Sequence, residues 1–277
     1  MRKPIIAIMY DFDKTLCTKD MQDYGFIPMM GMESSEFWNE VKILTDKEEM
    51  DNILAYMYKM VDKAREKKIV VKKEHFQNEG KNIEYFAGVE TWFDRIEAYA
   101  DQLGVSVEHY IVSSGIKEII EGTSIAKYFK KIYACEFMYD YTGSIEWPKF
   151  AVNYTAKTQF LFRINKGILN IDTESAKALN EYQDENVRKV PFRNMIYIGD
   201  GLTDVPCMKL VKVNGGHSIA VYNPLKGEAD ARKLLEHNRV NYITPADYSK
   251  NSEIEQIVQL IMNQINAVEK LHSFNRK

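Results

Sequence analysis

Ile5-Ile6-Ala7-Ile8-Met9-Tyr10-Asp11-Phe12-Asp13-Lys14-Thr15 is the stretch that decides the fold. The apolar run 5–10 is too short for a helix and rich in β-branched residues, so it reads as a buried strand. Two carboxylates at i and i+2 leave its end. The chain turns there, so both face one cavity. Buried like charges repel unless a cation or a proton intervenes. A hard divalent ion such as Mg2+ takes oxygen ligands and meets that demand. Taken alone, Asp-x-Asp also reads as an ordinary turn or a helix cap.

Similar short runs follow at 109–112, 131–134, 195–198, 218–221 and 241–243. Helical patterns lie between several of them. Residues 90–103 place Trp92, Phe93, Ile96, Tyr99 and Leu103 on one face, and Gly104 stops the pattern. Further helices are expected at 116–122 and at 155–166, the latter ending before Gly167. Strands alternating with helices imply an α/β fold, a Rossmann-like doubly wound parallel sheet. Ligands of such sheets collect at the carboxyl ends of the strands.

One region breaks the alternation. Residues 17–87 show no central strand and read as helices at 34–44, 47–68 and 73–84. They form an inserted helical cap, with hinges near 19–25 and 80–88. The catalytic core is then 1–16 and 88–277. Within the cap, Trp38, Tyr56 and Tyr58 are candidates to line a substrate pocket or to fill the cap's own core. Met29 and Met30 are the leading apolar candidates for substrate contact. Residues 136–154 read as a hairpin turning at 141–144. Residues 168–190 read as a polar excursion with a helix at 174–183, and 253–271 as a terminal amphipathic helix.

Three more segments carry chemistry. Gly199-Asp200-Gly201-Leu202-Thr203-Asp204 follows the strand 195–198, so acid again leaves the end of an apolar run. A tight turn and a capped helix would account for the glycines alone. Ser113-Ser114-Gly115 ends another strand near a helix start, which suits a phosphate; a plain N-cap is the alternative. Lys157 alone reads as a solvated charge, and His217 as a loop histidine.

In this order, Asp-x-Asp-x-Thr, strand-end Ser, Lys and Gly-Asp-Gly-x-x-Asp, the chain resembles the haloacid dehalogenase superfamily of hydrolases. The helical insert corresponds to a C1 cap, and the layout resembles the phosphoserine-phosphatase-like branch. The resemblance implies a Mg2+-dependent phosphatase acting on a small phosphorylated metabolite through an aspartyl phosphate. Asp11 would be the nucleophile and Asp13 the general acid and base. Ser113, Ser114, Thr15 and Lys157 would bind phosphate, Lys157 also serving catalysis. Asp11, Asp13, Asp200 and Asp204 would form the metal site, with Asp204 supporting the metal shell or orienting Lys157. A phosphotransferase or phosphomutase on the same scaffold, or a non-catalytic phosphate-binding module, are the alternatives. The cap lysines Lys59, Lys63, Lys67 and Lys68 read as a solvated face rather than a Schiff-base site.

The whole chain bounds the partners. Its 277 residues carry 37 basic and 40 acidic side chains, a net −3, which offers no basic surface for nucleic acid. Cys17, Cys135 and Cys207 are odd in number and far apart, so neither a disulfide framework nor a thiolate zinc site is expected. Pro4 and Asp11 bound the first apolar run, too short for a signal peptide or a membrane span. A cytoplasmic location and no membrane partner are expected; monomer and homodimer stay open.

Overall fold

The computed structural model describes residues 3–274; the expected core range extends at 1–2 and 275–277 outside the described residues. Seven strands form one sheet: β1 (Ile5–Tyr10), β2 (Ser106–Ile116), β3 (Phe129–Tyr139), β4 (Ile145–Phe150), β5 (Met195–Gly199), β6 (His217–Tyr222) and β7 (Tyr242–Pro245). Their order is β4-β3-β2-β1-β5-β6-β7. All neighbours are parallel except β4, which runs antiparallel to β3. β1 is central, pairing Ile5 with Ser106 on one side and Ala7 with Met195 on the other. Both faces are covered, which is why β1 and β5 read as unbroken apolar runs. The chain leaves β1 toward β2 on one side and later fills β5 on the other. The carboxyl ends of β1 and β5 therefore border the crevice where such sheets bind ligands.

The helices are α1 (Phe26–Met29), α2 (Ser34–Glu48), α3 (Asn52–Glu66), α4 (Lys73–Glu79), α5 (Val89–Leu103), α6 (Lys117–Glu121), α7 (Ala156–Lys166), α8 (Thr173–Asn180), α9 (Val205–Val213), α10 (Ala229–Glu236) and α11 (Glu253–Phe274). The four helices α1–α4 lie between β1 and α5, and the named strands all come from outside that stretch. The helix expected at 47–68 starts later. α2 runs on to Glu48, Glu49 takes a left-handed φ of 51°, and the Asp51 carboxylate caps α3 by accepting from the Ile53 and Leu54 N–H groups at 3.0 Å. α4 stops at Glu79 rather than at 84, and a short 3-10 turn, Gly80–Asn82, follows it.

Other boundaries move for local reasons. β2 and β3 extend well past 109–112 and 131–134, because β2 pairs with β1 from Ser106 and the far half of β3 pairs with β4. The β3–β4 hairpin reaches the helical segment. Ile145 donates its N–H to the Val71 carbonyl at 2.9 Å, Lys72 bridges Ser144, and Trp147 packs edge-on against Tyr58. His217 is not in a loop. It opens β6, is buried, and stacks on Tyr242, at the strand end away from the crevice. The three cysteines are buried free thiols. No helix among the described residues is long and apolar enough to cross a membrane.

Candidate active site

Asp11 is the first residue beyond β1, and its backbone N–H donates to the Ile198 carbonyl of β5 at 2.9 Å. The Phe12 carbonyl then accepts from Leu16 at 2.9 Å, which turns the chain back at once. Lys14, at a left-handed φ of 56°, lies inside that turn and pairs with Asp20 at 2.6 Å. The turn leaves Asp11 and Asp13 on one cavity of ≈ 470 Å³, together with Ser113, Ser114 and Asp200. A larger cavity of ≈ 700 Å³ lies between residues 80–91 and 122–124. It has none of these acids, so chemistry rather than size locates the site.

Lys157 reaches this centre from α7 although it lines no part of the cavity wall. It is fully buried, 3.0 Å from Asp11 Oδ1 and 2.7 Å from Asp204 Oδ1. The first contact is an ion pair without hydrogen-bond alignment; the second is a hydrogen bond. A lone helical lysine is here the buried counter-charge, not a solvated one. The long excursion 168–190 does not displace it. That excursion leaves α7 at Gly167 (φ 75°) and returns where Val190 and Asn165 exchange hydrogen bonds. Tyr197, from the middle of β5, donates to Asp204 Oδ1 at 2.8 Å. A side chain at Gly199 would place its Cβ 2.5 Å from Asp204 Oδ2, so glycine is what lets this carboxylate lie against the strand.

Ligand atoms of Asp11, Asp200 and Asp204 lie within 4.8 Å of one another. Burial and the Asp204 charge push Asp11 up to about 6, with Lys157 acting against them. Burial, then Asp204 and Asp11, hold Asp200 well above the ordinary carboxylate range. Burial works against the Lys157 ammonium, but Asp11 and Asp204 outweigh it and raise its pKa. Asp11 Oδ1 and Asp204 Oδ2 are buried without a hydrogen-bond partner. An oxygen-only, mutually repelling donor set of this kind fits a hard divalent cation.

Asp13 has a different setting. Its Oδ1 accepts from the Met21 N–H at 2.9 Å, and burial, then Asp20 and Asp11, raise it well above the usual range. Gly115 makes room beside it: a Cβ there would sit 2.1 Å from Met21 Cε and 2.9 Å from Asp13 Oδ2. Ser113 Oγ accepts from the Gly115 N–H at 3.0 Å and still lines the cavity. Ser114 also lines it, with its Oγ donating to the Val152 carbonyl at 2.7 Å.

Thr15 does not join this cavity. It is buried, its hydroxyl has no hydrogen-bond partner, and its carbonyl accepts from Tyr248 Oη at 2.9 Å. Met29 and Met30 also fall outside the lining. Trp38 and Tyr56 line it, whereas Tyr58 turns toward Trp147. Lys59 and Lys63 are not free solvated charges: both pair with Glu40, at 3.3 and 2.9 Å, away from the cavity. Sequence reasoning missed Lys14, Asp20, Gln22, Asn52, Tyr154, Leu202 and Thr203 on the wall, and Tyr197 behind it. Leu202 and Thr203 lie inside the second acidic motif and were open to inference; Asp20, Gln22 and Asn52 carry no periodic or spacing signal.

A doubly wound sheet with acids at the ends of β1 and β5 and a buried lysine between them defines a hydrolase class. The chain belongs to the haloacid dehalogenase-like hydrolase family, whose family model matches residues 8–209. An uncharacterized protein of Borreliella burgdorferi is 31% identical over 91% of this chain and 95% of its own. Among solved structures, a haloacid dehalogenase family hydrolase of Salmonella enterica serovar Typhi superposes with a TM-score of 0.57 at 15% identity, covering 91% of this chain and 73% of that one. A phospho-aspartyl intermediate analogue of a phosphoserine phosphatase gives 0.56 at 15% identity, covering 93% and 99%. These superpositions establish a shared fold with phosphoserine-phosphatase-like hydrolases.

Proposed function

We propose that the protein is a Mg2+-dependent phosphatase of small phosphate monoesters that works through an aspartyl phosphate on Asp11. The observation that carries this is the division of labour between Asp11 and Asp13. Asp11 Oδ1 lies 3.0 Å from the Lys157 ammonium, which works against the burial that raises Asp11, whereas Asp13 Oδ1 accepts from the Met21 N–H and is raised by burial, then by Asp20 and Asp11. The lysine thus favours the charged form of the carboxylate that attacks, and the second carboxyl stands on the same cavity to give a proton.

In this reading Asp11 attacks phosphorus while the phosphorus–ester oxygen bond breaks. Asp13 gives its proton to the departing oxygen. Asp13, now a carboxylate, takes a proton from the water that attacks the aspartyl phosphate, releasing inorganic phosphate and restoring both groups. Ser113 and Ser114 border the phosphoryl position, and Lys157 offsets its charge. Asp204, itself bonded by the Tyr197 hydroxyl, holds Lys157 in place. Asp11, Asp200 and, behind them, Asp204 would hold Mg2+, which when bound offsets charge on the phosphoryl oxygens. The segment 17–87 acts as the cap that closes the cavity over the leaving group.

The test is phosphate release from p-nitrophenyl phosphate and a panel of phosphate monoesters, with and without Mg2+, for wild type and Asp11→Asn. Metal-dependent release by wild type only is expected. Undiminished release by Asp11→Asn removes Asp11 from the nucleophile's role.

A further inference from the structure

The part of the cavity beyond the acids has a composition of its own. Among the described residues lining it, the one cation is Lys14, and Asp20 neutralises it at 2.6 Å. The cations of α3 are committed elsewhere: Lys59 and Lys63 to Glu40, Arg65 to the Glu146 carbonyl at 3.0 Å. A carboxylate or a second phosphate on the substrate would give up its hydration there and gain no opposite charge.

What the wall offers instead is neutral. Gln22 is 2% exposed, lines the cavity, and its amide has no hydrogen-bond partner among the described residues. An amide that opens on the cavity presents both donors and an acceptor to a ligand. Trp38 also lines the cavity, and its Nε1 is buried without a partner. Its ring meets Tyr56 edge-on with centroids 5.9 Å apart. Tyr56 is held there by its hydroxyl, which donates to the Ser114 carbonyl at 2.6 Å. A fixed aromatic pair beside unpaired neutral hydrogen-bonding groups suits a flat ring bearing polar atoms.

We propose that the site selects the monophosphate ester of an uncharged, ring-bearing alcohol, with the Gln22 amide pairing polar atoms of the ring and Trp38 and Tyr56 packing against it. This rests on the phosphatase reading and adds its substrate class. Gln22 is a specificity-determining residue, not part of the phosphoryl transfer.

The experiment compares kcat/KM of the Mg2+-loaded full chain on pyridoxine 5′-phosphate and a pyrimidine nucleoside 5′-monophosphate against O-phosphoserine and 3-phosphoglycerate, with p-nitrophenyl phosphate as the common reference. The ring esters are expected to be favoured by about tenfold or more, since an unpaired buried polar group discriminates at least that strongly. Gln22→Leu is expected to lower kcat/KM for the ring esters by roughly tenfold, through KM. Gln22→Arg is expected to shift the ratio toward the carboxylate-bearing esters. Equal or better turnover of the carboxylate esters by wild type overturns the proposal, as does a wild-type KM for ring esters in Gln22→Leu. If neither variant folds, as judged by thermal unfolding, the wild-type ratio decides alone. Turnover of p-nitrophenyl phosphate without class preference overturns this proposal and spares the phosphatase reading; no metal-dependent release from any ester overturns both.

Discussion

The backbone N–H of Met21 donates to Asp13 Oδ1 at 2.9 Å, so the carboxyl assigned as proton donor is tied to the segment that leads into the helices. Met21 also accepts at Sδ from the Ile116 N–H at 3.0 Å, which links that segment to β2. If Asp13 protonates the leaving group, Asp13→Asn should lose most on esters of poorly acidic alcohols. We expect a fall of about a hundredfold or more on alkyl esters, and a smaller fall on p-nitrophenyl phosphate. The check is the slope of log kcat/KM against leaving-group pKa. Equal losses across the series count against the acid role.

Lys157 is the counter-charge of two buried carboxylates. Lys157→Met leaves Asp11 and Asp204 without it, and should cost about 3–5 kcal/mol of stability besides activity. The unfolding midpoint in urea reads this directly. Added Mg2+ should restore part of the loss, because a cation then shares the same carboxylates.

The acids of the crevice repel one another when charged, so a bound divalent cation should stabilise the fold. At a free Mg2+ concentration of about 100 times its Kd, the expected gain is roughly 2.7 kcal/mol over the protein in chelator. A thermal midpoint that ignores both Mg2+ and chelator would remove the metal from the site.

Glu79, at the end of α4, titrates apart from the crevice. Burial pushes its carboxyl up to about 8, against the opposing influence of the Phe26 backbone. The folded state therefore holds a proton that the unfolded chain releases near its ordinary value of 4.5. This contribution to stability is complete below that value and is lost as pH rises through 8. Glu79→Gln should be more stable than wild type at pH 8, on the order of 2–4 kcal/mol, and nearly equal at pH 4.5. Urea titrations of both proteins at the two pH values test it. A pH-independent difference would place the effect in packing.

Gly199→Ala tests the close approach of β5 to Asp204. The added Cβ, 2.5 Å from Oδ2, must move a carboxylate that Lys157 and Tyr197 both hold. We expect kcat to fall at least tenfold, since small misplacements at a reacting centre are costly. An unchanged kcat would show that the Asp204 position tolerates displacement.

Much of this was legible in the chain because parallel strands buried on both faces must be apolar runs, and the acids at their ends stand out against them. Asp11 and Asp200 are conspicuous for that reason. Lys157 was legible only through motif order, since a helix pattern does not say which lysine faces the core. The break between α2 and α3 was expected at 45–46 and lies at 49–51, because charged residues at 46–49 continue a helical pattern, while the interruption lies in the left-handed Glu49 and the Asp51 cap. The far wall was the least legible. Gln22, Asn52 and Tyr154 come from three separate stretches, and only tertiary packing brings them to one cavity.

The β3–β4 hairpin gives that wall a hidden dependence. It holds the helical segment at Val71, Lys72, Arg65 and Tyr58, and α3 carries Ile53 and Tyr56 into the cavity. Substitutions at Trp147 can thus move α3 without altering a residue that lines the cavity. Drift in substrate preference among descendants of this chain has a route through a sheet edge, where sequence comparison of the acidic motifs alone would register no change.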